Sequence, residues 1–142
     1  NIENYLKRIE EQEKQHKPLN IIIIPNNFIY NDLQLLWTIF IAKNRFEDKI
    51  NVAKNLQTEV LLLLSLTDQI NKIASDFEMS LGEKDYFMFF VYEDEIDVKE
   101  ITKNLNLEEK EVVYNKQKAK EYYKIKEDED ILNKIIEKIS SV

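Results

Sequence analysis

Few residues in this chain carry side chains suited to catalysis. The one histidine, His16, sits among charged residues between Lys14 and Lys17, where an imidazole is an ordinary surface group. No cysteine is present, which removes thiolate nucleophiles, thiolate zinc sites and disulfides together. With a single histidine and no suitably spaced serine, a nucleophile–base–orienter triad cannot be assembled. Gly82 is the one glycine, so no Gly-rich loop can cradle a phosphate. Two acidic features remain. Glu93-Asp94-Glu95 could hold a hard cation, but adjacent side chains point in different directions, and a solvated acidic turn is the plainer reading. Glu59 stands in an otherwise apolar helical stretch. It is either a general base with a raised pKa or a carboxylate that caps a helix or forms an ion pair. Nothing here forms a catalytic constellation, and no metal or organic cofactor is called for.

The elements that must position these residues are read from periodicity. The stretch Asn55–Ile73 organises the chain. Asn55 is the N-cap, and Leu56, Val60, Leu63, Thr67, Ile70, Ala74 and Phe77 recur at steps of three and four. They form one helical stripe, or two helices broken near Thr67–Asp68 with Asp68 capping the second. Leu61, Leu62, Leu64 and Leu66 lie outside the stripe. A helix apolar on nearly all sides is buried on nearly all sides, either as a central core helix or with another protein as one wall.

Around it, residues 2–16 read as an amphipathic helix with Ile2, Tyr5, Leu6 and Ile9 on one face, stopped by Pro18. Leu19–Ile24 is a β-branched strand closed by a turn at Pro25-Asn26-Asn27. Asn31 or Asp32 caps a helix whose main stripe is Leu33, Leu36, Trp37 and Phe40, with Leu35 and Ile39 on another side, followed by a polar connection Asn44–Asn51 and a short helical piece Val52–Lys54. Met79–Asp85 is the clearest turn, and the aromatic run Tyr86–Tyr92 has the pattern of a strand covered on both faces. Asp97 caps a helix through Leu105, Val112–Tyr114 is a short strand, and Asn115 caps a helix Lys116–Lys124. Ile131, Leu132, Ile135, Ile136 and Ile139 make the last amphipathic helix. No repeat or long linker divides the chain. The expected fold is α+β, helix-rich, with a small, mostly antiparallel sheet packed with several helices in one domain, 1–142.

Composition narrows the class further. With 142 residues, 44% hydrophobic and 33% charged, the chain can bury a core and stay soluble. No apolar run reaches the roughly 20 residues of a membrane span, and Asn1–Lys17 is too polar for a signal peptide. A cytoplasmic protein is expected. The net charge of −7 argues against a dedicated nucleic-acid binder. The charge is uneven, however: Lys116, Lys118, Lys120, Lys124 and Lys126 face only Glu121 within 116–126. Just two arginines exist, Arg8 and Arg45, which leaves little for bidentate phosphate recognition.

From Thr38 to Glu95 the sequence resembles a known family. The features are a helix Thr38–Lys43, a charged loop Asn44–Lys54, the run Glu59 through Leu64, Gln69-Ile70, Ile73-Ala74, Gly82, and Phe87–Tyr92 followed by Glu93-Asp94-Glu95. This pattern is similar to the small regulatory subunit of the KEOPS (EKC) complex, called PRPK-binding protein in animals. The likeness covers about residues 29–96 and extends weakly to the last helix. It departs where the family often has Gly-x-Arg-Gln-Ile, because here the sequence is Leu66-Thr67-Asp68-Gln69-Ile70.

The resemblance implies a non-catalytic protein. Its complex installs threonylcarbamoyl on a tRNA adenosine, with the chemistry done by another subunit. The family's subunit binds the small lobe of a kinase-like ATPase subunit, promotes its activity and helps capture the tRNA acceptor end. On that reading Leu61, Leu62, Leu64, Leu66 and Ile73 supply the apolar partner face. Lys43, Arg45, Lys49, Lys54, Thr67 and Gln69 are the candidates for tRNA contact. Asp68 would repel phosphate, so weak tRNA binding is expected. Two other readings stay open: an unrelated acidic interaction domain that self-associates through the same leucines, and a small metal-dependent enzyme using Glu93-Asp94-Glu95.

Overall fold

The computed structural model describes residues 2–26, 28–73, 86–108, 112–126 and 130–142. Along the chain run α1 (Ile2–Gln15), β1 (Leu19–Pro25), α2 (Asp32–Glu47), α3 (Leu56–Leu64), β2 (Tyr86–Tyr92), α4 (Val98–Asn104), α5 (Lys116–Tyr122) and α6 (Ile131–Ser140). Residues 70–73 form a further helical turn. The strands pair as an antiparallel two-stranded sheet, and the fold is α+β and helix-rich.

Helix starts follow the sequence closely. Asn31, Asn55, Asp97 and Asn115 each accept the backbone N–H three residues on, from Gln34, Thr58, Glu100 and Lys118. Such a cap satisfies one of the donors that the first helical turn leaves unpaired, worth about 1 kcal/mol.

Helix ends differ from expectation. One glycine and two prolines suggest few sharp turns, yet α2, α3, α4 and α5 all stop abruptly at a left-handed residue: Lys49, Leu66, Asn106 and Lys124, with φ of 58°, 56°, 54° and 58°. After α3, Leu66 N–H donates to Leu63 C=O at 3.2 Å and Thr67 N–H to Leu62 C=O at 3.1 Å. That bond pair is the Schellman stop, and the other three ends repeat it. Carbonyl satisfaction outweighs the steric cost of a side chain at positive φ.

The chain divides into two compact units: Asn1–Ile23 with Met88–Val113, and Ile24–Phe87 with Tyr114–Val142. In the first, Ile9, Leu19, Ile21, Ile22, Ile23, Ile101 and Leu105 are buried. Tyr5 donates to the Leu105 carbonyl at 2.9 Å, Arg8 donates to the Asn104 carbonyl, and Asn104 donates to Gln12 at 3.2 Å. Together these bonds tie α1 to the end of α4. Glu13 accepts the Ile21 N–H at 3.0 Å, and burial raises its pKa above the ordinary carboxylate value. In the second unit α2, α3 and α6 pack on one another, around a core that includes Val60 through Leu64, Ile131, Ile135 and Ile139.

Several expected boundaries move. The segment from Asn44 is helical to Glu47 rather than a polar connection, because Arg45 is anchored on its inner side. Residues 52–55 are bends, not a helical piece, since Val52 and Ala53 give their N–H groups to Glu59 instead of to helical carbonyls. The interior of β2 is half-buried and its ends are exposed, so the aromatic run is not covered on both faces. Val112–Tyr114 forms no strand: Val112 and Val113 are exposed and bring no apolar face to a sheet. Helix α5 stops at Tyr122, two residues early, at its Lys124 stop. The expected turn Met79–Asp85, with Gly82, lies outside the described residues, as do Ala74 and Phe77.

Candidate interaction surface

Helix α2 buries Gln34, Leu35, Thr38 and Ala42. Two of these four are polar, and both are satisfied. Gln34 Nε2 donates to Phe28 C=O at 2.8 Å and to the Tyr123 hydroxyl at 3.1 Å, while its Oε1 accepts the Tyr30 N–H. Thr38 Oγ1 donates to Gln34 C=O at 2.8 Å. The Tyr123 hydroxyl lies 2.8 Å from Leu64 C=O and 3.0 Å from Phe28 C=O. Burial pushes the Tyr123 pKa up, so the phenol stays neutral. This knot joins α2, the end of α3 and α5.

Gln34, Thr38 and Ala42 turn inward together with Leu35, while four other large apolar groups of α2 turn outward. Leu33, Leu36, Trp37 and Phe40 are 60%, 61%, 41% and 54% exposed. At spacings of three, one and three they form one continuous ridge. The Trp37 and Phe40 rings sit 5.7 Å apart, tilted by 33°. Trp37 Nε1 donates to Ser140 Oγ at 3.0 Å, which fixes the indole against α6. An exposed ridge of this kind, aliphatic and aromatic, on a helix whose inner side is half polar, has the composition of an interface core. In the sequence this is the helix's main apolar stripe; the signal that it faces outward is the pair Gln34 and Thr38 on the other side, with Tyr123 able to satisfy Gln34.

The expected partner leucines lie elsewhere. Leu61, Leu62, Leu64 and Ile73 are 4%, 1%, 0% and 4% exposed, and Leu61, Leu62 and Ile73 share a buried cluster with Ala53. Leu66 is half-buried. All of them but Leu66 are covered by their own chain.

Glu59 is fully buried and acts as an anchor. Its carboxylate accepts the Val52 N–H at 2.8 Å and the Ala53 N–H at 2.9 Å, and lies 3.9 Å from the Arg45 guanidinium. Arg45 also donates to Val142 C=O. This is the ion-pair role, joined to hydrogen bonds from the preceding connection rather than to a helix cap, and it pins the 48–55 connection. Beside it is a cavity of about 240 Å³ lined by Arg45, Ile50, Val52, Leu62, Thr67, Asp68 and Val142. The cavity brings together two of the six residues expected at a tRNA contact, Arg45 and Thr67. Lys43, Lys49, Lys54 and Gln69 do not line it: Lys43 is half-buried on α2, and the other three are exposed. Thr67 Oγ1 accepts the Gln69 N–H at 3.2 Å, closing the turn that leads into residues 70–73.

Glu93-Asp94-Glu95 is exposed, and no group of acids or histidines among the described residues is arranged to hold a metal ion. No described helix is long and apolar enough to cross a membrane. No curated protein gives a significant match to the chain. The family model described as kinase binding protein CGI-121 matches residues 1–141, across both compact units. The chain therefore belongs to the CGI-121 family of kinase binding proteins.

Proposed function

We propose that this chain is a regulatory, non-catalytic subunit that docks on a kinase-like ATPase through the outer ridge of α2, in a complex of the KEOPS type. The observation that carries the reading is the exposure of Leu33, Leu36, Trp37 and Phe40 on one helix face. Covering four such side chains removes enough apolar surface to drive association, at about 25 cal/mol per Å² before the costs of ordering. The family's kinase-binding description supplies the partner. Among the leucines after Val60, Leu66 is the one with surface to add to such a contact; Leu61, Leu62, Leu64 and Ile73 support α2 from within.

Calorimetry with the kinase-like protein of the same organism tests this. Tight binding with a negative heat-capacity change is expected. Leu36→Glu or Phe40→Glu abolishes it while leaving the melting temperature nearly unchanged. Binding that survives both substitutions overturns the assignment of the face. A light-scattering mass of a dimer, returned to monomer by Leu36→Glu, instead favours self-association through the same ridge.

The finer part of the proposal concerns tRNA in the threonylcarbamoyladenosine pathway, which places the protein in the cytoplasm. The contact for the acceptor end is the cavity at Arg45 and Thr67, with Lys43, Lys49, Lys54 and Gln69 as the further candidates outside its lining. Arg45 is already engaged by Glu59, and Asp68 adds a negative charge to the cavity wall. Both oppose phosphate binding, so the affinity at this point is weak. Asp68→Arg is expected to strengthen tRNA binding in a filter or anisotropy assay; no gain would remove the cavity from the tRNA path.

A further inference from the structure

Within the second unit, the end of α6 is bound to α2 at two places. Trp37 donates its indole N–H to the Ser140 hydroxyl at 3.0 Å, and about two turns further along α2 Arg45 donates to the Val142 carbonyl. That end of α6 is closed on itself. Ser141 N–H donates to Lys138 C=O and Val142 N–H to Ile139 C=O, both at 3.3 Å, and the Ser141 hydroxyl donates to Glu137 C=O at 2.8 Å. Ile135 and Ile139, both 0% exposed, fix where the last turn lies. Ser140 is thus a placed acceptor beside the ridge, although its own surface is exposed. Among the four ridge residues, Trp37 alone has a polar side-chain atom, and an indole N–H can only donate. Its ring lies against Phe40, so the direction of the indole also bears on the next side chain of the ridge.

We infer that Ser140 is a positioning residue for the docking face, and that the partner meets Trp37 with an apolar pocket holding no acceptor for the indole. The inference rests on the docking reading of α2. Because the hydroxyl takes the N–H within the chain, Trp37 presents its ring carbons outward and asks the partner for no hydrogen bond. In the free protein this bond adds little, since water takes the N–H wherever Ser140 is lost. In the complex the partner excludes that water, and the same N–H is then buried without an acceptor, which costs far more than the bond itself contributes. The hydroxyl therefore matters to binding more than to stability, and it acts through Trp37 rather than by touching the partner.

The test is calorimetry of the whole chain with the kinase-like protein of the same organism, run as a double-mutant cycle. Ser140→Ala is expected to weaken binding roughly tenfold, the effect of one buried donor left unpaired, with the melting temperature nearly unchanged. Ser140→Thr keeps the hydroxyl and should restore wild-type affinity. Ser141→Ala loses a hydroxyl bonded inside α6 and should bind as wild type. Trp37→Phe keeps an apolar ring without the N–H, and in that background Ser140→Ala should cost nothing further. The same tenfold loss in both backgrounds overturns the inference, because Ser140 then acts without the indole. Wild-type affinity in Ser140→Ala, where Leu36→Glu has abolished binding, overturns it alone and leaves the docking face standing. Binding that survives Leu36→Glu and Phe40→Glu overturns the docking reading and this inference with it. A readout independent of the partner is the indole N–H resonance of the single tryptophan. It should shift in Ser140→Ala and hold in Ser141→Ala; no shift in the former means that the bond does not form in solution, and overturns the inference.

Discussion

Helices α2 and α3 lie against each other and both are crowded with large apolar residues, yet they use them in opposite ways. In α3 Val60 through Leu64 are all at most 4% exposed, while in α2 four of the largest side chains are at least 41% exposed. Hydrophobicity does not separate the two. Polar anchoring does. The inner side of α2 is fixed by Gln34 and Thr38, whose donors and acceptors must be paired once buried. Given that knot, α2 cannot rotate to bury Leu33, Leu36 and Phe40 without stranding an amide. In α3 the single acid, Glu59, finds its partners in the preceding connection and turns inward with the leucines. The difference teaches that a buried polar network can decide which face of an apolar helix is left for a partner.

The largest effect should come from putting the same charge into each helix. Leu62→Glu places a carboxylate at a position 1% exposed and should cost more than about 4 kcal/mol, enough to unfold the second unit. Leu36→Glu, at 61% exposure, should stay within about 0.5 kcal/mol in denaturant melts while removing kinase binding. If the two variants melt alike, the comparison fails.

Removing the anchor of α3 comes next. Glu59→Ala leaves the Val52 and Ala53 N–H groups and Arg45 without their acceptor, at a cost of about 3 kcal/mol. It also frees the 48–55 connection, which hydrogen exchange at Val52 and Ala53 would register. The matching change for α2 is Tyr123→Phe, which deletes a buried hydroxyl shared by Gln34, Leu64 and Phe28. A loss of about 2 kcal/mol is expected, with weaker kinase binding because the ridge loses its fixed orientation. Unchanged binding in this variant would show that α2 holds its face by other means.

How legible this was depends on which physics set each feature. The N-caps at Asn31, Asn55, Asp97 and Asn115 are local: a short polar side chain before a helical pattern suffices, and the sequence reading names three of them outright and leaves Asn31 open against Asp32. The burial of α3 is also local, because a nearly unbroken run of leucines leaves no polar side to expose. The outward face of α2 is not. It depends on Tyr123 meeting Gln34 across 89 residues of sequence, and periodicity alone marks Leu33, Leu36, Trp37 and Phe40 as the main apolar stripe. The cavity is half legible, since charge picks out Arg45 and the family likeness picks out Thr67 and the departure at Asp68, while the cavity itself and the pairing of Arg45 with Glu59 are tertiary facts.

The smallest expected effects concern the two helix ends, where the comparison turns to backbone strain. Helix α2 ends at Lys49 and α3 at Leu66, both left-handed and both bearing a Cβ that crowds the next carbonyl. Glycine removes that clash. Lys49→Gly should therefore stabilise by about 1 kcal/mol, because an exposed lysine has little packing to lose. Leu66→Gly should gain less, since its half-buried side chain forfeits part of its transfer energy as the strain is relieved. Lys49 is also one of the cations in the proposed tRNA contact, so on that proposal the same variant should gain thermal stability while losing tRNA affinity. A gain in both would mean that Lys49 shapes only the end of α2, and that the RNA contact relies on other lysines.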